Sequence, residues 1–208
     1  MDHGGTPLTS VAELEEVVGE PLPTARRKVR PRLHDLDRQW LAASPLCFVA
    51  TADADGYADV SPKGDPAGFA HVLDDVTIAL PERPGNRRAD GFHNVLANPE
   101  VGLVFVVPGR TDTLRVNGTA RVLRDVPYAP DLTVRGHVPT LVLEVSVREV
   151  FHHCPKAFLR SRLWDPETWA PDAVPRRAVL AQALERPDDT VADLDEYYGP
   201  AYAAKIYG

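Results

Sequence analysis

The run Pro84, Gly85, Asn86, Arg87, Arg88 leaves a predicted strand and opens a predicted helix. A tight turn, the unpaired N–H groups of a helix start and two guanidinium side chains are together what a phosphate monoester dianion needs. The run reads as an anion clamp. Paired arginines in a first helical turn also occur as a solvated face, but there they oppose the positive end of the helix dipole, and a bound anion relieves that opposition.

A second cation, Lys63, lies just past a predicted strand in the segment Ser61, Pro62, Lys63, Gly64, whose glycine permits close backbone approach. Two readings stand for it, a ligand contact and a solvated turn lysine; Ser61 likewise either meets a ligand or satisfies local backbone. On a later strand Thr113, Arg115 and Asn117 share one face by the two-residue period, while Leu114 and Val116 take the other. Such a polar stripe on a barrel strand is usually solvent-facing. The segment Phe151, His152, His153, Cys154 is not read as a metal or nucleophile site. Adjacent histidines diverge in extended chain, and no further Cys/His cluster completes a coordination sphere.

The elements that must position these groups follow from local signals. Ser10 and Glu13 form a capping-box pattern for a first helix that Gly19 stops. A second helix is predicted after Pro31, reaching about Ser44, with Leu33, Leu36, Trp40 and Leu41 on its apolar face. From Leu46 the punctuation becomes that of a β-protein. Strands are predicted at 46–52 and 57–62 around the turn Asp53 to Gly56, and at 69–73 and 76–80 around Asp74 and Asp75. A helix over 86–98 follows, its apolar residues being Phe92, Val95 and Leu96, and Asn98-Pro99 ends it. Strands at 101–107, 113–123 and 141–150 complete the set, with Gly118 marking a bulge or bend. Helices are predicted at 155–163, 175–184 and 188–198, the last capped by Thr190.

The fold class is therefore mainly β (α+β), a six- or seven-stranded closed or split β-barrel with one inserted helix and helical decorations at both ends. The organisation is one domain: N-terminal helices over 1–45, the barrel core over 46–150 and a C-terminal helical segment over 151–208. At 208 residues and 44% hydrophobic content, such a chain supports a sizeable core without disulfides.

Thirty acidic against 23 basic residues give a net charge of −7, which argues against a general nucleic-acid binder. Basic charge is local, at Arg26, Arg27, Lys28, Arg30 and Arg32 and again at Arg87 and Arg88. The two cysteines show no framework spacing, and the longest apolar runs, such as 101–107, are strand-sized. The expectation is a cytoplasmic protein with no membrane partner and no metal.

Four segments together, 61–66, 80–88, 98–103 and 114–120, resemble the flavin-nucleotide-binding branch of the pyridoxamine 5'-phosphate oxidase-like split barrels. The likeness spans roughly residues 40 to 165. It implies a homodimer with one FMN at each of two subunit interfaces and a small-molecule substrate. It also implies that Asn86, Arg87 and Arg88 grip the cofactor phosphate and that Ser61, Pro62 and Lys63 lie along the isoalloxazine ring. There a cation near the pyrimidine end stabilises charge on the reduced flavin. The matching strand of the family reaches across the dimer, which adds Thr113 and Arg115. The likeness also brings Lys156, Arg160, Arg162 and Trp164 into a segment that lines the substrate side or packs after the last strand. True pyridoxamine phosphate oxidases carry an Arg-Leu-His-Asp-type segment near the C-terminus. Here those letters occur at Arg32 to Asp35, before the barrel, so that substrate is not implied.

The leading expectation is an FMN-dependent oxidoreductase of unknown substrate, with no catalytic side chain assigned. Two alternatives stand beside it: a non-catalytic FMN carrier or sensor, and a reductase using the deazaflavin F420, whose acidic tail would want a basic groove such as residues 26–32.

Overall fold

The computed structural model describes residues 4–207. Helices α1 (Val11–Val18), α2 (Pro23–Arg27) and α3 (Asp35–Ala43) precede the strands β1 (Leu46–Ala52), β2 (Ala58–Gly64), β3 (His71–Val72) and β4 (Thr77–Pro81). Helix α4 (Asp90–Ala97) follows, then β5 (Glu100–Val106), β6 (Thr113–Arg124) and β7 (Leu141–His153). The chain ends with α5 (Lys156–Ser161), α6 (Arg177–Leu184), α7 (Val191–Tyr197) and α8 (Pro200–Ala204). Among the described residues, no helix is long and apolar enough to cross a membrane.

The strands form one seven-stranded sheet in the order β2-β1-β5-β6-β7-β4-β3, every pairing antiparallel. The sheet does not close: β2 and β3 are its edges. This is the split form of the expected architecture. Alternation along β1 buries Cys47, Val49 and Thr51, of which Cys47 and Val49 join Leu103 and Phe105 of β5 and Leu114 and Val116 of β6 in one core. At the Asn117/Gly118 step the β6–β7 register shifts, as the glycine suggested. A Cβ built at Gly118 would stand 2.0 Å from the Ser146 carbonyl oxygen, so no other residue fits there without moving β7.

Helix α3 starts later than Pro31: Arg30 bridges to Val150 of β7, the Leu33 N–H donates to the Asp75 carbonyl at 2.7 Å, and the chain stays extended through His34. Its true cap is His34, whose ring accepts the Leu36 N–H while Asp37 accepts the His34 N–H. The Arg-Leu-His-Asp letters thus serve a helix start. The predicted apolar face needs one correction: Leu36 is 61% exposed, whereas Asp37 is buried. Burial of that carboxylate is compensated by two hydrogen bonds from Arg30, at 2.6 and 2.9 Å, and by His152 Nε2 at 3.2 Å.

The C-terminal segment builds its own small cluster from Ala178, Ala181 and Leu194, with Val191 and Tyr198 packed against it. Thr190 caps α7 by accepting the Asp193 N–H, as expected, while α8 has no counterpart in the sequence reading. Trp164 anchors the chain back to the barrel by donating to the Arg110 carbonyl at 2.7 Å.

Candidate functional site

Side chains, not backbone, hold the edge strand β2 near the end of β4. Inward positions alternate along β2 at Asp59, Ser61 and Lys63, and Asp65 continues the pattern beyond it. Lys63 forms an ion pair with Glu82, and Asp65 accepts from Arg83 Nε at 2.5 Å, both acidic and basic partners lying at the end of β4 or just past it. Tyr207 adds a hydrogen bond to the other Asp65 oxygen at 2.5 Å. That bond holds the Tyr207 phenol proton above its ordinary range.

Behind these bridges lies a cavity of about 460 Å³ between β1, β2 and the start of α4. Its apolar surface includes Val49, Leu143 and Phe92, and the Lys63 ammonium sits 4.9 Å from the Phe92 ring centre. Its polar surface includes Thr51, Asp59, Ser61, Asn86, Arg88 and Asp90. Around Gly91 the oxygens of Thr51, Asp59 and Ser61 converge, each 3.6 to 3.7 Å from where a Cβ would stand.

The strand-to-helix corner departs from a plain helix start. Arg87 and Ala89 both adopt left-handed backbone, φ 64° and 52°, so α4 begins at Asp90 and not at Asn86. Non-glycine residues in that region cost roughly 1 kcal/mol each, a strain that gathers at functional corners. Leu96, expected inside, is 75% exposed, while Phe92 and Val95 carry the buried face. No side chain caps α4. Among the described residues nothing accepts the N–H groups of Asp90 and Gly91, whereas the Ala89 carbonyl already takes Phe92 and His93. Asn86 accepts the Arg88 N–H at 3.1 Å, and Arg88 Nε donates to Asp90 at 2.7 Å.

The paired clamp is therefore divided. Arg88 lines the cavity just described; Arg87 lines a second one, about 850 Å³, between the corner and helices α7 and α8. Asn86 borders both. Of the residues expected to bind a cofactor, Ser61, Pro62, Lys63, Asn86 and Arg88 come together in the first cavity. Thr113 and Arg115 line neither: Thr113 is buried, and Arg115 lies on the outer face of β6, 5.5 Å from the Phe151 ring centre. Residues 26–32 also line neither cavity. Lys28 instead donates to the His152 carbonyl and Arg30 to Asp37. The sequence reading missed Thr51, Asp59, Glu82, Asp90 and Gly91. Asp59 was open to it, since it shares the two-residue period of Ser61 and Lys63.

An open seven-stranded antiparallel sheet with flanking helices and a polar corner cavity at its split defines an α+β protein of split-barrel type. The chain belongs to the pyridoxamine 5'-phosphate oxidase family, whose model matches residues 33–154. Among solved structures it is similar to HupZ of Group A Streptococcus, 23% identical over 58% of this chain and 93% of that one, TM-score 0.47. A provisional pyridoxamine 5'-phosphate oxidase of Lactobacillus delbrueckii is 29% identical over 59% and 95%, TM-score 0.45. HutZ, the heme storage protein of Vibrio cholerae, is 15% identical over 58% and 94%, TM-score 0.40. Among curated proteins nothing matches.

Proposed function

We propose that the chain binds FMN in the cavity at the β4–α4 corner and acts as an FMN-dependent oxidoreductase on a small molecule. The observation that carries this reading is the corner itself: two N–H groups at the start of α4 without partners among the described residues, beside Asn86 and Arg88. Together they make a donor set for a phosphate dianion. Three carboxylates line the cavity: Glu82 is paired with Lys63, Asp59 stands beside Gly91, and Asp90 is held by an Arg88 that is 76% exposed, an ion pair worth under about 1 kcal/mol and readily exchanged for a phosphate.

The remaining surface suits the ring system. Val49, Leu143 and Phe92 offer it an apolar wall, and Ser61 and Lys63 offer donors along β2. Lys63 is held in place by Glu82, so its charge is fixed near the wall without a mobile search. When bound, FMN supplies hydride transfer, and the chain's part is to orient the ring and keep water from it. A second copy of this chain is proposed to cover the outer face of the sheet, where Phe48 and Val60 stand 41% and 61% exposed, and Arg115 would serve the site from there, whereas Thr113 is buried within its own chain. The F420 alternative is the less favoured reading, because residues 26–32 line neither of these cavities, Arg26 and Arg27 instead bordering a separate surface pocket with Glu20 and Leu22.

The test is titration of the purified protein with FMN and with riboflavin. Arg88→Ala should weaken FMN at least about tenfold and leave riboflavin within about twofold. Equal FMN affinity in both proteins overturns the reading. Turnover of the bound flavin with a nicotinamide donor separates the oxidoreductase from a carrier.

A further inference from the structure

The larger cavity lies beyond the region the family model covers on its helical side: α7, α8 and the two residues after α8 supply Asp193, Glu196, Tyr197, Tyr202 and Lys205 among others, while the β4–α4 corner supplies the rest. Its contents are of three kinds. Arg87 and Lys205 are cations, Tyr197 and Tyr202 are half-exposed rings, and Asp193 and Glu196 are hydrogen-bond acceptors. The volume, about 850 Å³, exceeds that of the first cavity, and Asn86 joins the two.

We propose that this second cavity takes the ADP half of flavin adenine dinucleotide, an inference that rests on the flavin reading of the first cavity. The divided arginines set the order of groups. Arg88 and Asn86 hold the phosphate nearest the flavin, and Arg87, one residue away but in the next cavity, holds the second phosphate with Lys205. Past them the tyrosine rings offer a planar base a stacking surface, and the carboxylates accept from ribose hydroxyls or the exocyclic amine. Equal numbers of cationic and acidic side chains suit such a mixed ligand better than a bare polyanion. The left-handed backbone at Arg87 and Ala89 has a purpose on this reading, since it sends successive arginines to different cavities.

The experiment compares FMN and FAD affinities of the full chain with those of Tyr202→Ala and, as a substitution that spares the aromatic packing of α7 and α8, Lys205→Glu. FAD should bind the native chain at least about tenfold more tightly than FMN. Both variants should lose that gain while keeping native FMN affinity. FMN bound with no gain for FAD overturns this inference and leaves the flavin reading standing. Failure of both flavins to bind overturns the two together.

Discussion

Arg83 and Asp65 meet across the split of the barrel, Nε to Oδ2 at 2.5 Å, where the sheet has no backbone ladder. The Asp65 side chain is 1% exposed, and Arg83 spends its other nitrogens on the carbonyls of Leu132 and His137, at 2.7 and 3.3 Å. One guanidinium thus ties β2, the β4 end and the β6–β7 connection.

Arg83→Met leaves the Asp65 carboxylate buried with Tyr207 alone, and unpaired buried charges cost about 3 kcal/mol or more. The variant should show a lower urea midpoint at unchanged slope. Pairing it with Asp65→Leu should recover much of the loss, because the orphaned charge is then gone. A double variant as unstable as the single one would show that the ion pair does not hold the split.

Acid sensitivity should concentrate at Asp37. Burial by itself pushes its carboxyl up, but the Arg30 hydrogen bonds, the His34 N–H and the charges of Arg30 and His152 outweigh it and hold the group below its ordinary value. The unfolded chain therefore takes up this proton first as pH falls. The contribution is complete at neutral pH and lost progressively below about pH 4. Urea midpoints measured from pH 7 down to about pH 3 should fall less steeply in Asp37→Asn, which starts from a lower stability.

Gly91→Ala should separate stability from binding. The new methyl would meet Thr51, Asp59 and Ser61 at ordinary contact distances and remove a glycine from the first turn of α4. Thermal stability should rise by up to about 1 kcal/mol. FMN affinity should fall, since the methyl occupies the cavity beside Arg88. Unchanged affinity would move the ligand away from Gly91.

The two thiols should differ sharply in reactivity. Burial pushes the Cys47 thiol up to about 12, whereas Cys154 is exposed. A thiol-counting reagent at neutral pH should report one group in the folded protein and both in denaturant. Two reactive groups in the folded protein would mean that β1 opens readily.

The barrel was legible because its signals are local. The predicted and observed bounds of β1 coincide at Leu46 and Ala52, since an apolar run and an Asp-rich turn define it without help. The β6 bulge was readable in a single glycine. Errors fell where packing chooses between neighbours. Leu36 and Leu96 had helical spacing appropriate to a core face, yet Asp37 took the inner place because Arg30 and His152, distant in the chain, could satisfy it.

The candidate site divides in the same way. Residue chemistry picked out Asn86 and Arg88, the family resemblance added Ser61 and Lys63, and all four line one cavity. It could not foresee that Arg87 would stand in another, because a left-handed arginine is decided by how β4 delivers the chain to α4 and not by local preference. The carboxylates Glu82 and Asp65 likewise acquire their partners through the curl of the sheet, which brings β2 against the end of β4.

From the sequence by itself came the strands, their turns and the cation-rich corner, for these depend on side-chain period and on backbone freedom within a few residues. The tertiary structure alone decided which arginine shares a cavity with which carboxylate, and that α7 and α8 close a second cavity on the same corner. Coulombic and hydrogen-bond partners are chosen by distance in space, which a linear pattern of residues does not contain.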